Sequence, residues 1–439
     1  MDGWHGTDGS AESVFTYGAP ALKFGLGAAE EIGYDVAQLV ADASGTPRAI
    51  VGTDAGVRAA GHADAVAERI AAEGLDVVVF DRVHVEPTDV SLVEAVDFAR
   101  SEGPWDVVVA VGGGSAIDTA KAVNLLSTNP GELMDYINAP VGRARAPRHP
   151  LLPLVAVPTT TGTGSESTTI CVLDVLDLHV KTGISHPRLR PTLAVVDPRL
   201  TLTQPAEVTA AAGMDILCHA LESYTARPFT AGPRKAAAER VPYCGANPIA
   251  DMWAERSLGL LAGAFRPAVR DGSDLTAREQ MALAATFAGM GFGNAGVHIP
   301  HACAYPIAGR VRGFRPGGYP DPDASAEPMV PHGMAVSLTA PESFRFTFDS
   351  APERHLRAAE LLAPGAGHDR GPDLLPRVLT DLMRDIAIPP GLAAVGYSGD
   401  DVDDLVAGAL KQQRLLATAP REVGAEDLAG ILTASLDLW

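Results

Sequence analysis

The sequence of 439 residues is poor in cysteine, and its four cysteines form no C-x-x-C pair. The pattern therefore suggests neither a zinc knuckle nor a disulfide scaffold, and it is typical of a protein from a reducing compartment. The chain also lacks an excess of positive charge, because 54 acidic residues outnumber 34 basic ones and give a formal net charge of −20. Such a charge argues against nucleic acid and against anionic membrane surfaces as partners.

Recognisable targeting and membrane-spanning segments are also missing. Met1–Ser13 is polar and acidic and has neither the basic region nor the apolar region of a signal peptide. No apolar run reaches the length of a membrane-spanning segment. We therefore predict a cytoplasmic protein. Its composition, 46% hydrophobic and 20% charged, is that of a globular protein long enough for two domains.

Hydrophobic periodicity predicts that the two halves of the chain differ in fold. Up to about residue 205, predicted strands alternate with predicted helices, in the order Arg48–Gly52, Ala59–Ala72, Asp76–Phe80, Val90–Ser101 and Asp106–Val111. This alternation indicates a Rossmann-like α/β domain with a parallel sheet over residues 1–205. Beyond it the strand signals fade, and an all-α domain is predicted over residues 206–439, with helices at Ala206–Tyr224, Asp251–Ala262, Leu275–Gly289, Ser350–Leu362, Pro372–Ile386 and Asp400–Ala407.

A glycine-rich turn follows the third predicted strand. The run from Val107 to Val111 is apolar and β-branched, and three glycines and a helical pattern come after it. A strand, a glycine turn and a helix N-terminus together can hold a pyrophosphate on backbone N–H groups. The run is neither G-x-G-x-x-G nor a Walker loop, so a tight turn that binds nothing remains the alternative. We assign to cofactor binding the residues Gly112, Gly113, Gly114, Ser115 and Asp118.

A second polar loop lies in the run Leu154–Glu166, which begins as a buried strand. It interleaves hydroxyl side chains with glycine, and such a loop can donate many hydrogen bonds to a sugar or phosphate. A solvated Ser/Thr loop is the alternative, but α/β sheets bind ligands where buried strands end. The candidate cofactor-binding residues of this loop are Thr159, Thr160, Thr163 and Ser165.

Asp54 follows the first predicted strand of the α/β domain. A carboxylate at this position can accept hydrogen bonds from ribose hydroxyls and would repel a 2′-phosphate, so we predict NAD rather than NADP. The alternative is that Asp54 only caps the next helix.

Asp215 and His219 are four residues apart in a predicted helix and therefore project from the same face. Two later histidines, His301 and His332, lie in segments flanked by glycine and proline. One carboxylate and three imidazoles can bind a divalent cation and leave a position for substrate. Taken singly, each residue is more typical of a surface ion pair, a helix cap or a core histidine.

Taken together, these motifs resemble the iron-containing (group III) alcohol dehydrogenases, and most closely their hydroxyacid-oxoacid transhydrogenase branch. The similarity runs from about Phe15 to the C-terminus, and the closer match is carried by the runs starting at Gly291, Tyr305, Val330, Pro352 and Gly391. The resemblance implies hydride transfer between a hydroxy acid such as 4-hydroxybutyrate and 2-oxoglutarate through NAD that stays bound. It also implies a divalent metal, Fe(II) before Zn(II), and a homo-oligomer.

The resemblance also implies further roles. Lys181 matches a family position near the nicotinamide, and with Arg310 and Arg312 it is a candidate partner for the acceptor carboxylates. The wider family has a histidine four residues after the third metal ligand where this chain has Tyr305. We therefore name Tyr305 and His298 as candidates for proton transfer, and a chain of ribose and water is the alternative.

Three other functions remain open from the sequence. They are an ordinary NAD-dependent alcohol dehydrogenase that releases NADH, a lyase of the dehydroquinate synthase type, and a non-catalytic NAD- or metal-binding protein. The lyase usually has a glutamate ligand and many lysines, whereas this chain offers Asp215 and few lysines. The proline-rich segment Gly309–Pro331, between two candidate ligands, is either a lid or an ordinary surface loop.

Overall fold

The structure, a computed structural model, describes residues 11–178, 180–319, 328–366 and 370–439. Most of the polar N-terminal segment Met1–Ser13 lies outside these ranges, and so do residues 320–327 of the candidate lid. The chain forms two compact units. A sheet unit contains residues 19–205 and 272–282, and a helical unit contains residues 11–18, 206–271 and 283–439. Two segments thus cross the predicted boundary at residue 205. Residues 11–18 lie in the helical unit, and residues 272–282 lie in the sheet unit.

The strands are β1 (Ala21–Phe24), β2 (Arg48–Gly52), β3 (Asp76–Phe80), β4 (Val107–Gly112), β5 (Leu154–Pro158), β6 (Ile170–Val175), β7 (Val180–Ser185) and β8 (Leu193–Val196). The helices are α1 (Ile32–Leu39), α2 (Ala55–Ala59), α3 (His62–Ala72), α4 (Asp89–Glu102), α5 (Gly114–Thr128), α6 (Leu133–Tyr136), α7 (Ala206–Thr225), α8 (Pro248–Arg270), α9 (Leu275–Ala295), α10 (Ile299–Gly309), α11 (His332–Ser337), α12 (Ala340–Thr347), α13 (Pro352–Leu362), α14 (Leu374–Asp385), α15 (Val402–Leu410), α16 (Gln413–Leu416) and α17 (Ala425–Ala434).

The sheet unit is built on a six-stranded parallel sheet with strand order β1-β8-β5-β4-β2-β3. Every residue of β4 and β5 is buried, as expected for central strands covered by helices on both faces. The registers place Gly112 opposite Pro158 and Gly52 opposite Ala110, so β2, β4 and β5 end at one edge of the sheet. The predicted α/β class with a parallel sheet is confirmed, and the loops after these three strands are brought together.

One part of the sheet unit was not predicted. β6 and β7 pair antiparallel in a separate two-stranded sheet, with Asp174 opposite Lys181. Their sequences follow the Ser/Thr loop directly.

The helical unit is organised around α7, which has 20 residues and is buried almost continuously from Thr209 to Thr225. α8 is longer than the predicted Asp251–Ala262, because Pro248 occupies its first turn and Asn247 accepts a hydrogen bond from the Ala250 amide. A membrane crossing needs a longer apolar helix than any formed by the described residues.

Candidate active site

Three helices of the helical unit bring the four candidate metal ligands together. α7 carries Asp215 and His219 one turn apart, α10 carries His301 in its first turn, and α11 begins at His332. The N-terminus of α11 lies tightly against α7, since a Cβ atom on Gly333 would lie 2.1 Å from the carbonyl oxygen of Ala211. The glycine therefore allows His332 to approach Asp215.

One carboxylate oxygen lies at the centre of the cluster. Asp215 Oδ1 is 3.7 Å from His219 Nε2, 3.5 Å from His301 Nε2 and 3.9 Å from His332 Nε2. Ligands about 2.1 Å from one tetrahedral metal ion are about 3.4 Å apart, so these separations suit atoms that share an ion. Asp215, His301 and His332 form the tighter group, with one ligand atom from each within 4.8 Å of the others. His219 lies at the side of this group, and its ring stacks on Phe292 at 3.8 Å between centroids.

The polar atoms of the cluster also fit a cation. Asp215 Oδ1 and His301 Nε2 are buried and have no hydrogen-bond partner in the described part of the chain. Buried polar atoms without partners are costly, and a cation bound between them removes that cost. A mixed carboxylate and imidazole set suits Fe(II), Zn(II), Mn(II) or Co(II).

Burial and the neighbouring charges set the charge states of the cluster. Although burial alone would raise the pKa of Asp215, the three histidines, His219 first, hold it well below its usual range. Burial lowers the pKa of His219 to about 3, so that its imidazole is neutral at pH 7. Burial also disfavours charge on His301, but Glu222 and Asp215 outweigh it and raise the pKa of His301 to about 9. At pH 7 the cluster therefore holds an ionised carboxylate, a neutral His219 and a protonated His301, and a divalent ion would have to displace the Nε2 proton of His301.

Glu222 is a site residue that the sequence analysis missed. It is fully buried on α7, and its Oε1 lies 2.6 Å from Nδ1 of His301. The signal was in the sequence, because positions 215, 219 and 222 lie on one helical face.

The two candidates for proton transfer differ in position. His298 has no exposed surface, and its Nε2 lies 3.0 Å from Thr225 Oγ1. Burial lowers its pKa to about 4. Tyr305 follows His301 by one helical turn, and its ring centroid is 6.2 Å from that of His332. Tyr305 therefore lies beside the cluster, whereas His298 is enclosed in the protein.

The glycine turn and the Ser/Thr loop meet at the end of the parallel sheet. Gly112 has φ of +154°, and a Cβ atom there would lie 2.7 Å from Cβ of Ala116. Cβ atoms on Gly113 and Gly114 would lie 3.0 Å from Thr160 Oγ1 and 2.6 Å from Thr163 Cγ2. The amide of Thr159 donates to the Gly112 carbonyl over 3.1 Å. The three glycines thus let the second loop approach the N-terminus of α5, where phosphates bind.

Asp118 and Ser165 make internal hydrogen bonds. Ser165 Oγ donates to Asp118 Oδ1 over 2.5 Å, and Nζ of the fully buried Lys121 donates to both side chains. Asp118 Oδ2 accepts from the Val172 amide over 2.8 Å. This network joins α5, the Ser/Thr loop and β6. The side chains of Asp118 and Ser165, which were predicted to bind the cofactor, thus hold these three elements together. Ser115 Oγ accepts from the backbone amide of Glu86.

Asp54 caps the next helix, which is one of the two roles that the sequence allowed, and it lies beside the glycine turn. Its Oδ1 caps α2 by accepting from the Val57 amide over 2.9 Å. Its Oδ2 lies 3.6 Å from the position of a Cβ atom on Gly112, next to the glycine turn.

The three basic candidates are paired with acidic side chains. Lys181 is 3% exposed and lies 2.7 Å from both Glu86 and Asp174. Arg310 lies 2.8 Å from Asp404. Arg312 pairs with Asp401. The prediction that these cations bind acceptor carboxylates receives no support from this arrangement, because each charge has an acidic partner.

Comparison with known protein families gave matches over most of the chain. The family described as iron-containing alcohol dehydrogenase matches residues 19–198. Its C-terminal counterpart, the Fe-containing alcohol dehydrogenase family, matches residues 236–312 and 323–436.

Relatives and solved structures agree with these matches. The hydroxyacid-oxoacid transhydrogenase, mitochondrial, of Bos taurus is 42% identical over 98% of this chain and 91% of its own length, and that of Rattus norvegicus has the same identity and coverage. The crystal structure of a 1,3-propanediol oxidoreductase superimposes with a TM-score of 0.81 at 30% identity, over 96% of this chain and 100% of that chain. The predicted cytoplasmic location is wrong by this comparison, because both relatives are named as mitochondrial. That prediction depended only on composition and a missing signal, which do not identify a compartment.

Proposed function

Because the chain belongs to the iron-containing alcohol dehydrogenase family, we propose that it transfers hydride between a hydroxy acid, such as 4-hydroxybutyrate, and 2-oxoglutarate through bound NAD. It is an oxidoreductase that acts on small molecules. The observation that carries the proposal is the 42% identity to hydroxyacid-oxoacid transhydrogenases over nearly the whole chain. The family implies both NAD and a divalent metal.

Asp215, His219, His301 and His332 would hold the metal in the helical unit. When bound, the metal would supply Lewis-acid polarisation of a substrate oxygen, and NAD would accept and return the hydride. Asp215 contributes a full negative charge, since its pKa lies well below its usual range. Phe292 holds the His219 ring by stacking on it, and α11 places His332 through the close contact of Gly333 with α7. We propose Fe(II) as the metal, from the family description.

The sheet unit would hold NAD at the ends of β2, β4 and β5. Backbone N–H groups after Gly112 and the hydroxyl groups of Thr159, Thr160 and Thr163 would bind the pyrophosphate. Asp54 would accept hydrogen bonds from the ribose, which favours NAD over NADP. The role that we propose for Asp118 and Ser165 is to hold the Ser/Thr loop through Lys121.

We assign proton transfer to Tyr305 in preference to His298. Tyr305 lies next to His332 and keeps a small exposed fraction of 6%, whereas His298 has none. A proton donor needs to reach the substrate directly or through water.

An ordinary alcohol dehydrogenase that releases NADH is the second candidate. It is favoured by the 30% identity to a 1,3-propanediol oxidoreductase over nearly the full chain. The two functions differ in whether an oxo acid is needed to reoxidise the nucleotide.

One experiment distinguishes them. The purified protein is analysed for metal and nucleotide, loaded with Fe(II), and incubated with 4-hydroxybutyrate and 2-oxoglutarate without added NAD. A transhydrogenase forms 2-hydroxyglutarate under these conditions. A dehydrogenase forms none, but it produces NADH from an alcohol when NAD is added without an oxo acid. The absence of turnover in both assays, with metal-loaded protein, would contradict both functions.

A further inference from the structure

Glu222 is a buried carboxylate whose hydrogen bonds, among the residues that the structure describes, go to one short segment. It has no exposed surface, and its ion pair within the described ranges is with His301. Its Oε1 lies 2.6 Å from His301 Nδ1, and its Oε2 accepts the backbone amides of His298 and His301 over 2.6 and 3.4 Å. An uncompensated carboxylate inside a protein is strongly unfavourable, so this set of donors is what stabilises it.

The same bonds fix the start of α10. A helix leaves the N–H groups of its first turn without partners inside the helix. In α10, Pro300 has no N–H, and Glu222 accepts two of the remaining donors. The carboxylate on α7 therefore holds the N-terminus of α10 in place, together with the backbone of His301.

The bond to Nδ1 also determines what His301 presents to the metal ligands. A carboxylate accepts hydrogen bonds, so the Nδ1 that faces it carries the proton. In the neutral ring, Nε2 then has a lone pair. Nε2 points at Asp215 Oδ1 over 3.5 Å and has no hydrogen-bond partner of its own within the described residues.

We propose that Glu222 is a positioning residue that sets the affinity of the site for its metal. It selects the Nδ1–H tautomer of His301, fixes the ring orientation and anchors the helix that carries this ligand. The inference rests on the proposed function insofar as His301 binds a metal. Residues that hold a metal-binding histidine in this way typically change metal affinity by about 10–100-fold when they are replaced.

The test compares Glu222→Gln with Glu12→Gln. Glu12 is also a buried carboxylate of the helical unit, and it accepts the backbone amides of Ser13, Val14 and Lys235, but it contacts none of the candidate ligands. Metal-free protein is titrated with Zn(II) against a competing chelator, and thermal unfolding is followed in parallel. Glu222→Gln should weaken Zn(II) binding by about 10–100-fold, and Glu12→Gln should leave it within about twofold even where it lowers the melting temperature.

Two further measurements separate positioning from a general structural effect. In a His301→Ala background, Glu222→Gln should cause little additional loss of affinity, because the two residues act through one ligand. Long-range ¹H–¹⁵N spectra of Zn(II)-loaded wild-type protein should place the His301 proton on Nδ1, and this measurement needs no variant that might fail to fold. Wild-type affinity in folded Glu222→Gln, full additivity in the double variant, or a proton on Nε2 would overturn the inference. The absence of metal binding by the wild-type protein would instead overturn the proposed function.

Discussion

Gly333→Ala should disrupt the metal cluster without changing any ligand. A Cβ atom at this position would lie 2.1 Å from the Ala211 carbonyl oxygen and 2.8 Å from Cβ of Asp215. Ordinary contact begins at 3.4 Å, so the start of α11 has to move by about 1.3 Å away from α7. The obstructing atom belongs to the backbone of α7 and cannot rotate away.

The expected size of the effect follows from this displacement. Metal–ligand distances vary by only about 0.2 Å, and His332 directly precedes the displaced residue. Gly333→Ala should therefore weaken metal binding by at least about tenfold, in the range of losses seen when a ligand is no longer held in place. The overpacked contact should also lower the free energy of unfolding by about 1–3 kcal/mol.

Gly263→Ala is the matched control. Gly263 is an exposed residue of α8, and a Cβ atom there would meet nothing within 4 Å. This substitution should raise the free energy of unfolding by about 0.5–1 kcal/mol and leave metal affinity unchanged. Both variants are examined by chelator competition and by urea unfolding. Wild-type metal affinity in Gly333→Ala would refute the argument that this glycine positions His332.

Three other predictions follow from the site. Asp215→Asn removes the one carboxylate among the four candidate ligands, so it should weaken metal binding by at least about tenfold, as measured by elemental analysis. Turnover in the activity assay should fall to the level of protein treated with a chelator. Asp54→Asn keeps a good helix cap, so the free energy of unfolding should be unchanged. The preference for NAD over NADP should fall about tenfold, because like charges about 4 Å apart repel by about 1–4 kcal/mol. An unchanged ratio of the kcat/KM values for the two cofactors would remove the assignment. The pKa of His298, lowered to about 4, implies that the unfolded chain binds more protons between pH 6.5 and 4. The contribution of His298 to the free energy of unfolding is complete above about pH 6.5 and is lost as the pH falls, by about 2 kcal/mol at pH 5. In urea unfolding, folded His298→Asn protein should therefore lose less stability between pH 7 and pH 5 than the wild-type protein.

The sequence was most informative where local pattern determines structure. The runs at Arg48–Gly52 and Asp76–Phe80 were predicted with the observed bounds, because short apolar runs that contain β-branched residues and lie between helical segments favour strands. The spacing of Asp215 and His219 likewise determined that both would leave one face of α7.

The sequence was least informative where a side chain meets a partner far along the chain. Nothing near Asp118 in the sequence indicates that its carboxylate is bonded to Ser165 and to the amide of Val172. Glu222 shares a helical face with Asp215, but its partner begins a different helix, so its contact with His301 depends on tertiary packing. His298 was named for its chemistry, and only its burial reveals that it is enclosed.

The buried position of α7 has a consequence for protein engineering. Two of the four ligands and the carboxylate behind a third come from one helix that is packed on nearly every side, so their mutual spacing is hard to alter. His332 is the most accessible ligand, with 21% of its side chain exposed at the start of a six-residue helix. Efforts to change which metal the protein accepts should therefore begin with the side chain at position 332, which is less enclosed than the other three ligands, and should keep Gly333, whose close contact with α7 sets the backbone there.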